Sequence, residues 1–245
     1  MIDVVKRTVR IVEAAVTPRR SIVSDHGRPL RFVRSIWWHD AHQIAFEREI
    51  RPYFDALTRG RPYQRICDAG AAEGLFTVAA CAQFSAARVH AFEPSRRQRI
   101  LLRRNVRLNA VADRVEVVPC GMWRSSGRLA FRTHGAIGAL RETAELPPTL
   151  EFREHVAVIA LDEWARRRSL TDIDLIKMDI EGAELEALEG ARETLRRDRP
   201  DLLIQAYHQR DGARTFERCA AQLSSLGYEV REAPAGSGLL HAVAT

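Results

Sequence analysis

The sequence predicts an α/β protein built on a doubly wound, mainly parallel sheet with helices on both faces and one antiparallel strand near its edge. From Arg65 onward, short apolar runs alternate with segments of helical period, the signature of βα units. The last two strand-like runs, 228–232 and 239–243, are joined by Gly236-Ser237-Gly238, which makes a hairpin and so one reversed strand. The 245 residues, 46% hydrophobic and 29% charged, suffice for one well-cored domain, or for one domain with a small arm.

Residues 1–60 read as an N-terminal helical arm and 61–245 as the main domain. In the arm, Ile2, Val5, Val9 and Val12 fall at helical spacing, a turn covers 25–29, and a second helix lies around 42–57 before Gly60 and Pro62 break the pattern. The main domain then gives strand 66–69, helix 75–84, strand 89–92, a basic helix 95–109 and strand 115–118. A hairpin is expected across 125–128. Residues 133–154 show no clear period and contain Pro147 and Pro148, so they read as a long loop. Strand 156–160, helix 161–168, strand 173–180, helix 183–197, strand 202–207 and helix 213–226 precede the closing hairpin.

Charged residues interrupt every hydrophobic stretch, so no run reaches the ~18 residues of a membrane span. Lys6, Arg7 and Arg10 break the apolar pattern of residues 1–16, which does not fit a signal peptide; a cytoplasmic location is the expectation. Cys67, Cys81, Cys120 and Cys219 lie too far apart for a CxxC pair and read as buried free thiols. The net charge of +6 falls entirely within residues 1–65, and the lysine and arginine total of 38 includes only two lysines. An anionic partner for the arm and a plain arginine bias both account for it.

The strongest local signal is Ile66-Cys67-Asp68-Ala69-Gly70-Ala71-Ala72-Glu73-Gly74, a strand entering a small-residue turn and then a helix. Small residues let a ligand approach the backbone, the helix start suits a negative group, and Asp68 suits a cationic amine. Ala72 stands where the dinucleotide GxGxxG pattern has glycine, which disfavours a nicotinamide cofactor. Read blandly, the segment is a tight turn with Glu73 favouring the helix start.

Glu93 ends the next strand, where an acid takes both hydroxyls of a ribose, and Pro94 leads into the following helix. Two strand-end acids about a glycine turn describe a nucleoside ligand without phosphates, with S-adenosylmethionine the leading candidate. A third constellation, 175–184, delivers Asp179 and Glu181 to a strand end, as donor contacts, acceptor contacts or proton acceptors; Glu184 is better read as a helix cap. Lys177 within that strand suits an ion pair or an outward-reaching ammonium. His208 follows the strand 202–207 and completes the base candidates with Asp179 and Glu181. His90 reads as core, whereas His39, His42 and His134 could line an acceptor pocket; no spacing supports a metal site.

These motifs resemble the FkbM family of S-adenosylmethionine-dependent methyltransferases. The likeness runs from about Arg65 to Tyr207, through Asp68-Ala69-Gly70-Ala71-Ala72-Glu73-Gly74, Ala91-Phe92-Glu93-Pro94, Leu161-Asp162-Glu163-Trp164 and, most specifically, the run from Asp174 through Ala191. It implies the seven-stranded, Rossmann-like class I methyltransferase fold, with Asp68, Gly70 and Gly74 around the donor's methionine, beside Ala71 and Glu73, and Glu93 on its ribose. Many members carry Asn where this chain has Ala72. The resemblance also implies O-methylation of a hydroxylated small molecule, a sugar or secondary metabolite, without choosing the acceptor.

Three other readings compete. A nucleic-acid methyltransferase is suggested by Arg96, Arg97, Arg99, Arg103, Arg104 and Arg107 on one helix. The strand ending Met178-Asp179-Ile180-Glu181 lacks an Asn-Pro-Pro-Tyr type of motif, and that helix lacks interleaved aromatics. A non-catalytic donor-binding or scaffold protein would not need its acids intact. A magnesium-assisted enzyme would need more oxygen ligands than Asp179 and Glu181 supply. Trp37, Trp38 and Phe46 suggest that the arm covers the sheet's carboxyl edge and, with the 133–154 loop, shapes an acceptor pocket. Oligomeric state is not legible.

Overall fold

The computed structural model describes residues 20–25, 28–33, 45–57, 61–134, 137–140, 152–210 and 212–245. Its centre is a seven-stranded sheet built from β3 (Arg65–Ala69), β4 (Arg88–Phe92), β5 (Val115–Val118), β10 (Leu175–Met178), β11 (Asp201–Gln205), β14 (Tyr228–Glu232) and β15 (Leu239–Ala244). Their spatial order is β14-β15-β11-β10-β3-β4-β5, and only β15 runs antiparallel to its neighbours. The chain reverses direction of travel across the sheet between β3 and β10, so their ends form a topological switch point.

Alternation along the strands divides the core into two faces. Cys67, Ala69, Ile176, Met178, Leu202 and Ile204 face one way. They pack with α4 (Leu161–Arg167), α5 (Glu184–Glu189), α6 (Arg192–Asp198) and α7 (Thr215–Ser224). Ile66, Leu175 and Leu203 face the other way, toward α1 (Arg51–Ala56), α2 (Leu75–Gln83) and α3 (Arg96–Leu108). On this second face β1 (Arg20–Asp25) and β2 (Arg28–Val33) form a hairpin through Val23, Leu30 and Phe32.

The arm therefore differs from its helical reading, since 20–25 and 28–33 pair as antiparallel strands. Alternation explains it: Leu30 and Phe32 are buried while Arg31 is exposed. Arg31 N and Val33 N donate to Asn109 Oδ1 and Asn105 Oδ1, at 2.9 and 2.8 Å, so the hairpin is fastened to α3. The second arm helix appears as a π-helical turn, Phe46–Ile50, leading into α1. The helix read over residues 1–16, and Trp37, Trp38, His39 and His42, lie outside the described residues.

Much of the expected 133–154 loop is strand. A small sheet of order β6-β9-β7-β8 contains β6 (Gly121–Met122), β7 (Gly127–His134), β8 (Ile137–Leu140) and β9 (Phe152–Ile159), and β12 (Gln209–Arg210) pairs with β13 (Ala213–Arg214). Of the loop reading, 135–136 and 141–151 lie outside the described residues, as do the side chains of 133–134, 137–140 and 152–153, that of His134 included. Residues 125–128 do turn the chain, yet not as a hairpin, because β9 lies between β6 and β7. The single helix read over 183–197 is broken into α5 and α6 at Gly190. A Cβ there would lie 2.2 Å from Trp123 O, so close backbone approach selects the glycine. Cys67, Cys81 and Cys219 are buried free thiols, whereas Cys120 is half-buried. Among the described residues no helix is long and apolar enough to cross a membrane.

Candidate active site

The two turns at the switch point touch. A Cβ on Gly70 would sit 2.0 Å from Asp179 O, and Gly70 has φ +74°, so both space and backbone demand glycine. Gly74 has φ +89° and lies against the end of the Leu102 side chain, so its backbone rather than its space demands glycine. The sequence reading gave these glycines to ligand approach; the structure gives each a protein neighbour.

The turn after β3 is held by β4. Gly70 N and Ala71 N both donate to Phe92 O at 3.0 Å, and Ala72 N donates to Glu93 Oε2 at 2.8 Å. Ser95 N donates to the other carboxylate oxygen at 2.7 Å. Burial pushes the Glu93 carboxyl up to about 7, against the pull of the Ser95 and Ala72 amides and of Arg99 and Lys177. Pro94 precedes Ser95, the cap of α3, and donates no hydrogen bond of its own. Glu73 is buried at the start of α2, with its carbonyl accepting from Asn105 Nδ2 at 2.7 Å.

Asp68 has no exposed surface. Thr77 Oγ1 donates to it at 2.6 Å and Lys177 Nζ lies 3.1 Å away. Lys177 is the residue opposite Asp68 in the β3–β10 register, so the pair is a cross-strand ion pair inside the sheet's second face. Lys177 Nζ also donates to Gly70 O at 3.0 Å and stands over the rings of Tyr53 and Phe76. The two alternatives read for Lys177 thus resolve to the ion pair, and the cation facing Asp68 within the chain is Lys177.

The turn after β10 is acidic. Asp179 N donates to Ala69 O at 3.1 Å, and Tyr53 OH donates to Asp179 Oδ2 at 3.2 Å. Burial raises the Asp179 carboxyl, opposed by Lys177 and assisted by Glu181. Glu181 adopts φ +57°, an uncommon conformation for a residue with a side chain, and its Oε2 lies 3.0 Å from His208 Nε2. His208 Nδ1 lies 3.7 Å from Glu184 Oε1, which accepts from Gly182 N at 2.9 Å. Glu184 opens α5 where a cap was expected, but its carboxylate accepts from the preceding turn rather than capping the helix, and it also faces the imidazole. Burial pushes Glu184 up to about 7. Burial alone would lower His208, but the Glu181 hydrogen bond and the charges of Glu184, Glu181 and Asp179 outweigh it and raise the imidazole. Tyr207 stacks on the His208 ring at 4.3 Å.

The structure therefore brings Asp179, Glu181 and His208 together, with Asp68, Gly70, Ala71, Glu73, Gly74, Glu93 and Pro94 around the adjoining turn. Sequence reasoning missed Tyr53 and Glu49. Burial raises Glu49, and Asp179 and Glu181 reinforce the shift. Their signal was tertiary: nothing in residues 45–57 announces that this helix packs at the sheet's carboxyl edge. His90 is half-buried, bonded to Glu116 at 3.1 Å and packed edge-on to Trp164. Among the described residues no three His, Cys, Asp or Glu side chains are grouped to hold a metal ion.

Known proteins share this fold. Methyltransferase FkbM of Methylobacillus flagellatus KT superposes with a TM-score of 0.55 at 23% identity, covering 76% of this chain and 45% of that one. Aeropyrum pernix fibrillarin, solved with natively bound S-adenosyl-L-methionine, superposes at 0.51 with 14% identity, covering 95% and 86%. These likenesses show the class I, Rossmann-like methyltransferase fold. Methyltransferase sdnD of Sordaria araneosa is 30% identical over 161 residues, covering 52% of this chain and 60% of the relative, so the match spans three fifths of that protein. The Methyltransferase FkbM domain matches residues 68–230, from the buried acid of β3 to the middle of β14, and on that match the chain belongs to the FkbM methyltransferase family.

Proposed function

We propose that this chain is an S-adenosylmethionine-dependent methyltransferase that methylates a hydroxyl of a small molecule, a sugar or secondary metabolite. The observation that carries the reading is the pairing, at one switch point, of a backbone-anchored Glu93 with the Asp179, Glu181 and His208 cluster. Family membership and the bound ligand of the fibrillarin neighbour support the choice of donor.

The residues fit that donor. Each Glu93 oxygen accepts one backbone N–H, which leaves further lone pairs to receive the two hydroxyls of a ribose. Asp68, through Lys177, and the residues from Gly70 to Gly74 fix the turn beside it, while Asp179 presents a carboxylate suited to a cation. When bound, the donor supplies an electrophilic methyl group on a sulfonium centre.

The rest is alignment and proton removal by this chain's own groups. Of the three base candidates, Glu181 and His208 act as a pair. His208 has one nitrogen on Glu181 and the other facing Glu184, so the pair can take up a hydroxyl proton while Glu184 orients the ring. His208 holds its proton to higher pH than usual, so turnover should rise through a range above the ordinary histidine value.

Thermal unfolding with S-adenosylmethionine, S-adenosylhomocysteine, NAD and ATP tests the donor. At about 100 times its dissociation constant the right ligand stabilises by ~2.7 kcal/mol, a shift of several degrees for a domain of this size. The expected result is a shift with the two adenosyl-sulfur compounds alone, lost in Glu93→Ala. A shift with NAD or ATP instead, or none with any ligand, overturns the proposal.

A further inference from the structure

Of the arginines of α3 only Arg99 reaches the site just described, through Glu93 O and Pro94 O, and the placement of the others is not that of a scattered composition. The helix carries six arginines and no acid in 13 residues. Arg96, Ile100, Arg103, Arg104 and Arg107 are all exposed. Their spacing of i, i+4, i+7, i+8 and i+11 puts them within an arc of about 100° on one side of the helix. Among the described residues, the four arginines of that arc make no hydrogen bond or ion pair. Ile100, 44% exposed, lies inside the arc rather than at its border.

The neighbouring hairpin repeats the pattern. Ile22 is 63% exposed and stands opposite the exposed Arg31 in the β1–β2 register, so the two share a face. Arg31 is tied to the end of α3, its N–H donating to Asn109 Oδ1 and its carbonyl accepting from Asn109 Nδ2 at 2.7 Å. Ile22 and Ile100 are two of the three exposed large hydrophobic residues among those described. Both sit among arginines on adjoining elements.

We propose that the outer face of α3, with the β1–β2 hairpin beside it, docks on an anionic lipid bilayer. Guanidinium groups meet lipid phosphates and carboxylates, while aliphatic side chains between them enter the boundary with the acyl chains. A single-stranded nucleic acid would be gripped through aromatic side chains that stack on bases, and this surface offers isoleucine instead. The inference does not depend on the methyl-transfer reading.

Co-sedimentation of the full chain with phosphatidylglycerol vesicles, phosphatidylcholine vesicles, RNA and duplex DNA tests it. Binding to phosphatidylglycerol vesicles, weakened by salt and absent with phosphatidylcholine, is expected. Each of Arg103→Gln and Arg107→Gln should lower the partition coefficient about five-fold, equivalent to ~1 kcal/mol per arginine. Ile100→Asn should weaken vesicle binding without changing its salt slope, at an unchanged unfolding temperature that shows the fold intact. No binding to phosphatidylglycerol, equal binding to both vesicles, insensitivity to these exposed substitutions, or binding to nucleic acid alone would each overturn the proposal.

Discussion

The turn after β3 and the turn after β10 leave neighbouring parallel strands at the same edge, touch through Gly70 and Asp179, and handle charge in opposite ways. In the first, Asp68 has Lys177 and Thr77, and Glu93 has two backbone amides, although burial still lifts Glu93 to about 7. In the second, three acids crowd one histidine with Glu49 beside them: Asp179 has the Tyr53 hydroxyl and Glu184 one backbone amide, while among the described residues Glu181 has only His208 as a partner. A fixed, satisfied turn suits holding a ligand in one pose. An undercompensated acidic turn answers to pH and to whatever proton or cation arrives, which suits the reacting side.

The comparison breaks most violently at Lys177. Lys177→Met removes the cation from a carboxylate with no exposed surface, and an uncompensated buried charge costs ~3–5 kcal/mol. Urea unfolding should show that loss, and the double substitution Asp68→Asn with Lys177→Met should restore more than half of it. If the single variant loses under about 1 kcal/mol, the pair is not what compensates this turn.

Acid positions along the chain were legible because strand ends and glycine turns announce themselves in sequence. Asp68, Glu93, Asp179 and Glu181 all stand where alternating β and α segments put them. What compensates each acid was not legible. Lys177 pairs with Asp68 through the register of two strands more than a hundred residues apart, and Tyr53 reaches Asp179 from an arm helix. The hairpin at 20–33 was hidden because short alternating runs also suit a loop, and β8 and the first half of β9 because their pairing partners lie in a sheet of their own, whereas the second half of β9 was read as the strand 156–160. Gly190 read as a helix residue until Trp123 O appeared against it.

Titration sharpens the contrast with a smaller effect. Glu184 holds its proton up to about 7 in the fold against an ordinary 4.5, so the folded state binds protons more tightly and stability falls as pH climbs through that window. His208, also raised, adds in the same direction: its contribution is complete below the ordinary histidine value and is lost as pH rises through the folded one. Glu184→Gln keeps an oxygen for Gly182 N and places an amide where Glu184 Oε2 has no hydrogen-bond partner. Stability measured from about pH 5 to about pH 8 should flatten, with a gain of roughly 2 kcal/mol at the alkaline end and little change at the acid end. An unaltered slope would mean that the acidic turn is as well compensated as its neighbour.

The smallest effect separates strain from charge. Each turn holds one residue with a side chain in the left-handed region, Ala72 at φ +46° and Glu181 at φ +57°. At Ala72 the conformation aims the backbone N–H at Glu93, and alanine gains nothing from its own side chain there. Asn tolerates this region better because its amide bonds locally, which gives a physical reason for the Asn that family members carry at this place. Ala72→Asn should therefore stabilise the chain by ~0.5–1 kcal/mol, a rise of about 1–4 °C in Tm, with donor binding retained. Glu181→Asn relieves the same strain but deletes the carboxylate that holds His208, so it should cost turnover and remove the upward shift of the imidazole pKa that Glu181 causes. If both substitutions merely stabilise, the left-handed residue in the second turn is as dispensable as in the first, and the division between a fixed turn and a reactive one fails.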